Sequence, residues 1–401
     1  MKIAFLSREY LPDSAWGGLA TVYHCLACAL TERGHEVHVI CQAPGKPMES
    51  VEDGVFVHRV GTNPKRYSAA ARINYIFHAW LKLSDIISHR GIDIVEASQW
   101  GADAFLYTLK KHAPLVIRTD VSARDMLMTK TYSGIYERAA LEVLSLIEDY
   151  SIRRADRVIA ISQEMYARVI DRLHIPKEKV DIVFHGIDTS RYHFVESDIR
   201  RRFEIPQSVP MLLFVGRLET RKGVYILCQA IPEVIRSMPM ARFVFVGRDT
   251  KSAPGGGSVR SYISQIADHY GYTGNLHLIE FLPPDELIAM YSACDVFVLP
   301  SFQESCGMVI LEALACGKPV VTTNTGVVSD MRLDSAAITI VSPADTEGLA
   351  KAIIRVLSLN DDERELAATK NRELMETRFS ISSWVDKVVR VYEKALSEYE
   401  A

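Results

Sequence analysis

No stretch of the 401 residues joins the roughly 18 apolar side chains that a membrane-spanning helix needs. No run of Lys and Arg is long enough to make a basic stripe, and the formal net charge is -4, so nucleic acid is not expected as a partner. Cysteine is scarce and unpatterned. The seven, at positions 25, 28, 41, 228, 294, 306 and 316, form an odd set without framework or zinc-finger spacing, which predicts reduced thiols and no metal site. Cys25 and Cys28 fall inside an apolar helical pattern with no second pair, and read as core thiols rather than a redox motif. With Gly at 22 and Pro at 16, collagenous and low-complexity classes are also excluded. The opening residues reach charge at Arg8 after five apolar or small positions, too few for a secretory leader, so the expected compartment is the cytoplasm.

What is present is a chain 48% hydrophobic and long enough for two cores. Short β-branched runs recur at residues 2–7, 36–41, 92–96, 115–119, 157–161 and 179–184, separated by helical spacing such as 20–33 and 136–154. Continuous apolar strands alternating with helices predict a parallel sheet covered on both faces. The pattern restarts after Asp188, with strands expected at 211–215, 242–246, 276–280, 295–299 and 319–322. The fold class expected is α/β, with two Rossmann-like doubly wound domains and ligand positions facing a cleft. Their expected limits are 1–186, with a returning helix over 379–401, and 187–378.

The strongest motif is the segment from Pro300 to Val320, in which Glu304 occupies a loop and Glu312 a helix opening at Gly307. Free backbone N–H groups at Gly307, Met308 and Val309 favour anionic oxygen there, and carboxylates beside such a place suit sugar hydroxyls. A helix cap and a solvated glutamate would read alike from this segment alone. The turn Gly216-Arg-Leu-Glu-Thr-Arg-Lys-Gly223 follows a predicted strand and adds glycines and cations. It lacks the Walker order, so Arg217 and Lys222 are the groups expected to neutralise a diphosphate, without a metal ion. In the first half Trp16-Gly17-Gly18 stands between strand and helix, where a tight turn and a close backbone approach to a ligand are both consistent with Gly17 and Gly18.

Together with Val246-Gly247, Phe281-Leu-Pro-Pro284 and Ser292-Ala-Cys-Asp295, these segments resemble the retaining GT-B glycosyltransferases of family 4, the group 1 type. The resemblance spans nearly the whole chain. It implies a nucleotide-diphosphate sugar donor (UDP-, GDP- or ADP-linked), a small-molecule, glycan or glycolipid acceptor bearing a hydroxyl, and a C-terminal helix that crosses back to the N-terminal domain. It also implies that Arg217 and Lys222 bind the diphosphate together with Gly216, that Glu304 holds the transferred sugar and Glu312 the ribose, and that Leu282 borders the base. The Gly17–Gly18 loop would meet the donor phosphate or the acceptor. Where many relatives carry a His after the strand beginning at Pro114, this chain has Asp120, a carboxylate expected to be charged at neutral pH. Glu96, Trp100, Arg118 and Arg124 are candidates for the acceptor side, and His185 reads as a structural residue near the domain boundary. No strongly basic amphipathic helix is seen, so membrane contact is at most peripheral. A nucleotide-sugar epimerase and a non-catalytic nucleotide-sugar sensor share these motifs and stay open as alternatives.

Overall fold

The computed structural model describes residues 1–12, 18–43, 45–61, 69–128, 134–331 and 338–399. The chain divides into two compact units, Met1–Gly186 with Ile381–Ala401, and Ile187–Ser380.

The first unit carries strands β1 (Lys2–Leu6), β2 (Glu36–Gln42), β3 (Met48–Glu52), β4 (Val55–Val60), β5 (Ile94–Ser98), β6 (Leu115–Arg118), β7 (Arg157–Ala160) and β8 (Val180–Ile182). Its helices are α1 (Gly18–Glu32), α2 (Ala69–Arg90), α3 (Phe105–Leu109), α4 (Ala123–Met128), α5 (Ile135–Arg154) and α6 (Gln163–Leu173). The sheet order is β3-β4-β2-β1-β5-β6-β7-β8, parallel except at the β3 edge. That antiparallel edge strand was not expected, although its signal is present. Asp53 (φ +50°) and Gly54 (φ +79°) make the two-residue turn with both φ positive that Asp-Gly favours. Residues of β5, β6 and β7 are all buried, as a sheet covered on both faces requires.

The second unit contains β9 (Met211–Val215), β10 (Arg242–Val246), β11 (Leu276–Ile279), β12 (Val296–Leu299), β13 (Val320–Thr323) and β14 (Ile338–Val341). Between and after them lie α7 (Ile199–Arg202), α8 (Val224–Ser237), α9 (Val259–Tyr270), α10 (Pro284–Ala293), α11 (Met308–Ala315), α12 (Thr346–Leu357) and α13 (Asp361–Arg378). The order β11-β10-β9-β12-β13-β14 is parallel throughout. In both units consecutive strands diverge from the first one, β1 or β9, and such a reversal opens a crevice at the carboxyl ends of neighbouring strands.

The last helix, α14 (Ile381–Tyr399), belongs to the first unit, as expected. Its apolar stripe buries Trp384, Val385, Val388, Val391, Tyr392 and Ala395. Tyr392 donates a 2.6 Å hydrogen bond to Glu96 of β5, and Lys394 and Glu398 pair with Asp181 and Arg157. No helix among the described residues is long and apolar enough to cross a membrane.

Candidate functional site

In the second unit the site is built on the turns that follow β9, β10 and β12. Glycine is required at two of them because backbone meets backbone. A Cβ on Gly247 would lie 1.9 Å from the Gly216 carbonyl oxygen, and one on Gly223 (φ +69°) 1.9 Å from that of Pro300. The loop 216–223 is thereby seated on the ends of β10 and β12.

That seating carries Lys222 to Glu304. Its Nζ donates to Oε1 at 2.7 Å and to Oε2 at 2.9 Å, and Ser301 Oγ donates to Oε1 at 2.6 Å. Arg221 stands 3.8 Å from Oε2 and donates to the Gln303 carbonyl. Glu304 is only 4% exposed. Burial pushes its carboxyl up, but Lys222 and Arg221 outweigh burial and hold it below the ordinary carboxylate range.

Arg217 is more open, with 59% of its side chain exposed and a 3.3 Å contact to Glu219. Glu219 also accepts from Arg221 at 2.8 Å, so Arg217, Glu219, Arg221, Glu304 and Lys222 form one chain of ionic contacts. Glu312 lies one turn into α11, where its Oε2 accepts from the Tyr291 hydroxyl at 2.7 Å, and burial raises its pKa against the lowering hydrogen bonds of Tyr291 and Tyr192. Gly307 (φ +84°) precedes α11 and gives it no side-chain cap. The Ile310 N–H donates to the Gly307 carbonyl at 2.8 Å, whereas those of Met308 and Val309 have no acceptor within the helix and are available to an anion. Leu282, in the turn after β11, is buried. Sequence reasoning missed Arg221, Glu219, Ser301 and Tyr291. The first three stand inside the quoted motifs, but nothing in their spacing tells which of three cations in one turn faces the carboxylate.

A hollow of about 840 Å³ lined by Phe194, Cys316, Lys318, Arg364 and Arg372 lies elsewhere, at the amino ends of β12 and β13. Its arginines are engaged with backbone carbonyls of the unit itself.

In the first unit Gly17 falls outside the described residues. Gly18 opens α1, and a Cβ there would meet nothing within 4 Å, so packing does not require a glycine at that position. Asp120 follows β6 and accepts from Ser98 Oγ at 3.1 Å. Burial pushes its pKa up to about 7 against the opposing pull of Arg118, so the carboxyl is not the fully charged group expected from sequence. The reading of Glu96 and Arg118 as acceptor-side groups is corrected. Both side chains are fully buried, Arg118 donating to the two Glu96 oxygens at 2.8 and 3.1 Å with Tyr392 capping the pair, so they lock α14 to the sheet. Arg124 pairs with Asp149 at 3.3 Å, and Trp100 lies under the Arg72 guanidinium at 5.1 Å. His185 is buried against Trp384, and burial lowers its pKa to about 3, which keeps it neutral and structural. None of the seven cysteines is in a disulfide. His24, Cys28 and Asp53 bring ligand atoms within 4.8 Å of one another, though burial pushes the Cys28 thiol up to about 12.

Two family models match the chain, Glycosyltransferase Family 4 over residues 16–191 and Glycosyl transferases group 1 over residues 195–373. An uncharacterized glycosyltransferase of Methanocaldococcus jannaschii is 27% identical, with 99% of each chain covered. Among solved structures, a sucrose-phosphate synthase from Thermosynechococcus elongatus superposes with a TM-score of 0.81 at 19% identity, covering 99% of both chains. An Anabaena protein solved in complex with UDP-glucose gives 0.75 at 19% identity, over 98% of this chain and all of that one.

Proposed function

Because the chain belongs to the group 1 glycosyltransferases of family 4 and has their GT-B fold, we propose that it moves a hexose or hexosamine from a nucleoside-diphosphate sugar to a hydroxyl acceptor, with retention and without a metal ion. The observation that carries the reading is the convergence of Lys222, Arg221 and Ser301 on the buried Glu304 beside the uncapped start of α11. Such a place offers a fixed anion acceptor for sugar hydroxyls and fixed positive charge for phosphate oxygens, a few ångströms apart. The Anabaena neighbour bound to UDP-glucose supports a donor of this class.

In the proposed reaction the bond from C1 to the diphosphate oxygen loosens first. Arg217, Lys222 and the first N–H groups of α11 take up the charge gained by the leaving group, and the acceptor oxygen enters on the same face of the sugar, its proton passing to the departing diphosphate oxygen. Preorganised donors act where charge develops, so no reorganisation is needed at the moment of transfer. Glu304 orients hydroxyls of the transferred sugar and Glu312 those of the ribose, with Gly216, Gly307, Met308, Val309 and Leu282 bordering the donor. Asp120, poised near neutrality, can accept or donate a hydroxyl proton. Seven cysteines without a disulfide suit a reducing compartment such as the cytoplasm.

Thermal stabilisation by UDP-, GDP- and ADP-sugars identifies the donor, since a ligand bound only by the folded state raises the midpoint. NMR of the product's anomeric centre then reads the stereochemistry, with and without EDTA. An inverted product, or transfer abolished by EDTA and restored by a divalent ion, overturns the mechanism. Turnover of donor without any acceptor to an epimerised nucleotide sugar would favour the epimerase instead.

A further inference from the structure

At the carboxyl ends of β2, β1 and β5 the first unit buries polar atoms that no described residue pairs. Arg8 Nη1, both amide atoms of Gln42, Arg72 Nε and Asp103 Oδ1 are buried without a hydrogen-bond partner among the described residues. Arg8, Gln42 and Asp103 are 4%, 2% and 3% exposed. Leaving such groups unmet is costly, and native proteins rarely do so except where a ligand or water completes them.

These atoms are neighbours. The Arg8 backbone N–H donates to Asp103 Oδ2 at 2.9 Å, and the Gln42 N–H donates to the Arg8 carbonyl at 3.1 Å. Gly101 (φ +86°) has no Cβ, and one placed there would stand 3.1 Å from Asp103 Oδ1 and 3.8 Å from Arg72 Nε, so two of the unmet atoms border the same side-chain-free spot. The Arg72 guanidinium carbon lies 5.1 Å from the Trp100 ring centroid, over the ring. The group lies where β1 meets β5, the reversal point of the sheet, which is where open α/β sheets take ligands.

Charge selects the ligand. Burial and the nearby Arg8 both lower the Arg72 pKa, so two cations face one another with no ion pair to a described carboxylate. Asp103 is the nearest counter-charge. Glu148, also within reach of Arg72, accepts the N–H groups of Gly101 and Ala123, and burial lifts its pKa to about 8, which leaves it largely protonated at neutrality. The site therefore carries surplus positive charge and planar donor forks, a match for an oxyanion.

Given the reading of the chain as a nucleotide-sugar transferase, we propose that Arg8 and Arg72 hold an oxyanion on the acceptor, a phosphate monoester or a carboxylate, while Gln42 and Asp103 engage its neighbouring hydroxyls. Sugar or polyol phosphates and sugar acids are then the acceptor class, and neutral sugars bind poorly.

The test is equilibrium dialysis of the full chain with radiolabelled inorganic phosphate, in wild type, Arg72→Gln, Arg8→Gln and Arg217→Ala, with nucleotide-sugar binding measured on each. Phosphate binding that survives Arg217→Ala and weakens about tenfold or more in Arg72→Gln and Arg8→Gln, with donor affinity unchanged in those two, is the expected result. Arg72 lies in the half-exposed first turn of α2, so its variant is informative even if Arg8→Gln fails to fold. Competition in the Arg217→Ala background separates the sources, a hexose 6-phosphate or a hexuronate displacing the label. Displacement by a neutral hexose equally well, or equal phosphate binding by wild type and Arg72→Gln, overturns the proposal. Loss of donor binding by the wild type would instead sink the transferase reading, so the two failures are distinguishable.

Discussion

The two units share a fold, yet Glu304 in one and Asp103, Asp120 and Glu148 in the other meet burial with opposite results. In the second, Glu304 is met by Lys222, Arg221 and Ser301, and its carboxyl stays below the ordinary range despite burial. In the first, burial outweighs the neighbouring cations and hydrogen bonds at Asp103, Asp120 and Glu148, and their pKa values rise to about 6, 7 and 8. Glu96 there has a full partner in Arg118, as Asp125 has in Arg168 and Asp149 in Arg172. The difference teaches that Glu304 presents fixed charge, whereas Asp103, Asp120 and Glu148 can carry a proton near neutrality.

The sharpest way to break that comparison is to remove one partner from each paired site. Arg118→Ala strands Glu96 fully buried and is expected to cost about 3–5 kcal/mol in denaturant unfolding. Lys222→Ala should leave stability much less affected, because Glu304 keeps Ser301 and Arg221, while turnover falls about 10²-fold or more. Equal loss of stability in both variants would mean that the Lys222 pair is structural. If Lys222→Ala turns over normally, its donor-site role is gone.

A pH series separates the units more finely. The raised carboxyls of the first unit favour the protonated form in the folded chain, so their contribution is full below the unfolded values near 4 and is lost as pH rises through about 6 to 8. Glu304 has the opposite sign, its contribution being present above its unfolded value near 4.5 and lost on further acidification. The melting-temperature advantage of Glu148→Gln over the wild type should therefore grow from pH 5 to pH 8. An unaltered slope in that variant would mean that Glu148 titrates normally. The smallest effect belongs to the exposed pair of Arg138 and Glu142 on α5, where Arg138→Ala is expected to change unfolding free energy by about 0.5 kcal/mol or less.

Legibility in the sequence followed how local each cause was. The apolar runs that became β9, β10 and β12 are buried along their length, and such runs announce a covered parallel sheet before any contact is known. Lys222 and Glu304 were legible because glycines and a helix start flank them at fixed offsets. Glu96 and Arg118 misled, since a charged residue at a strand's end reads as a site group until α14, nearly 300 residues further on, delivers the Tyr392 hydroxyl. Arg8 and Arg72 gave no signal, because they are single cations far apart in the chain.

The order of residues alone determined the alternation of strand and helix, the two-unit division and the turns where only glycine fits, because those rest on burial periodicity and backbone sterics that act over a few positions. Tertiary structure alone decided which charges meet and which carboxyls keep a proton. Coulomb energy and desolvation depend on distance and surroundings in space, and residues such as Lys222 and Glu304, 82 positions apart, acquire both only when the sheet brings them together.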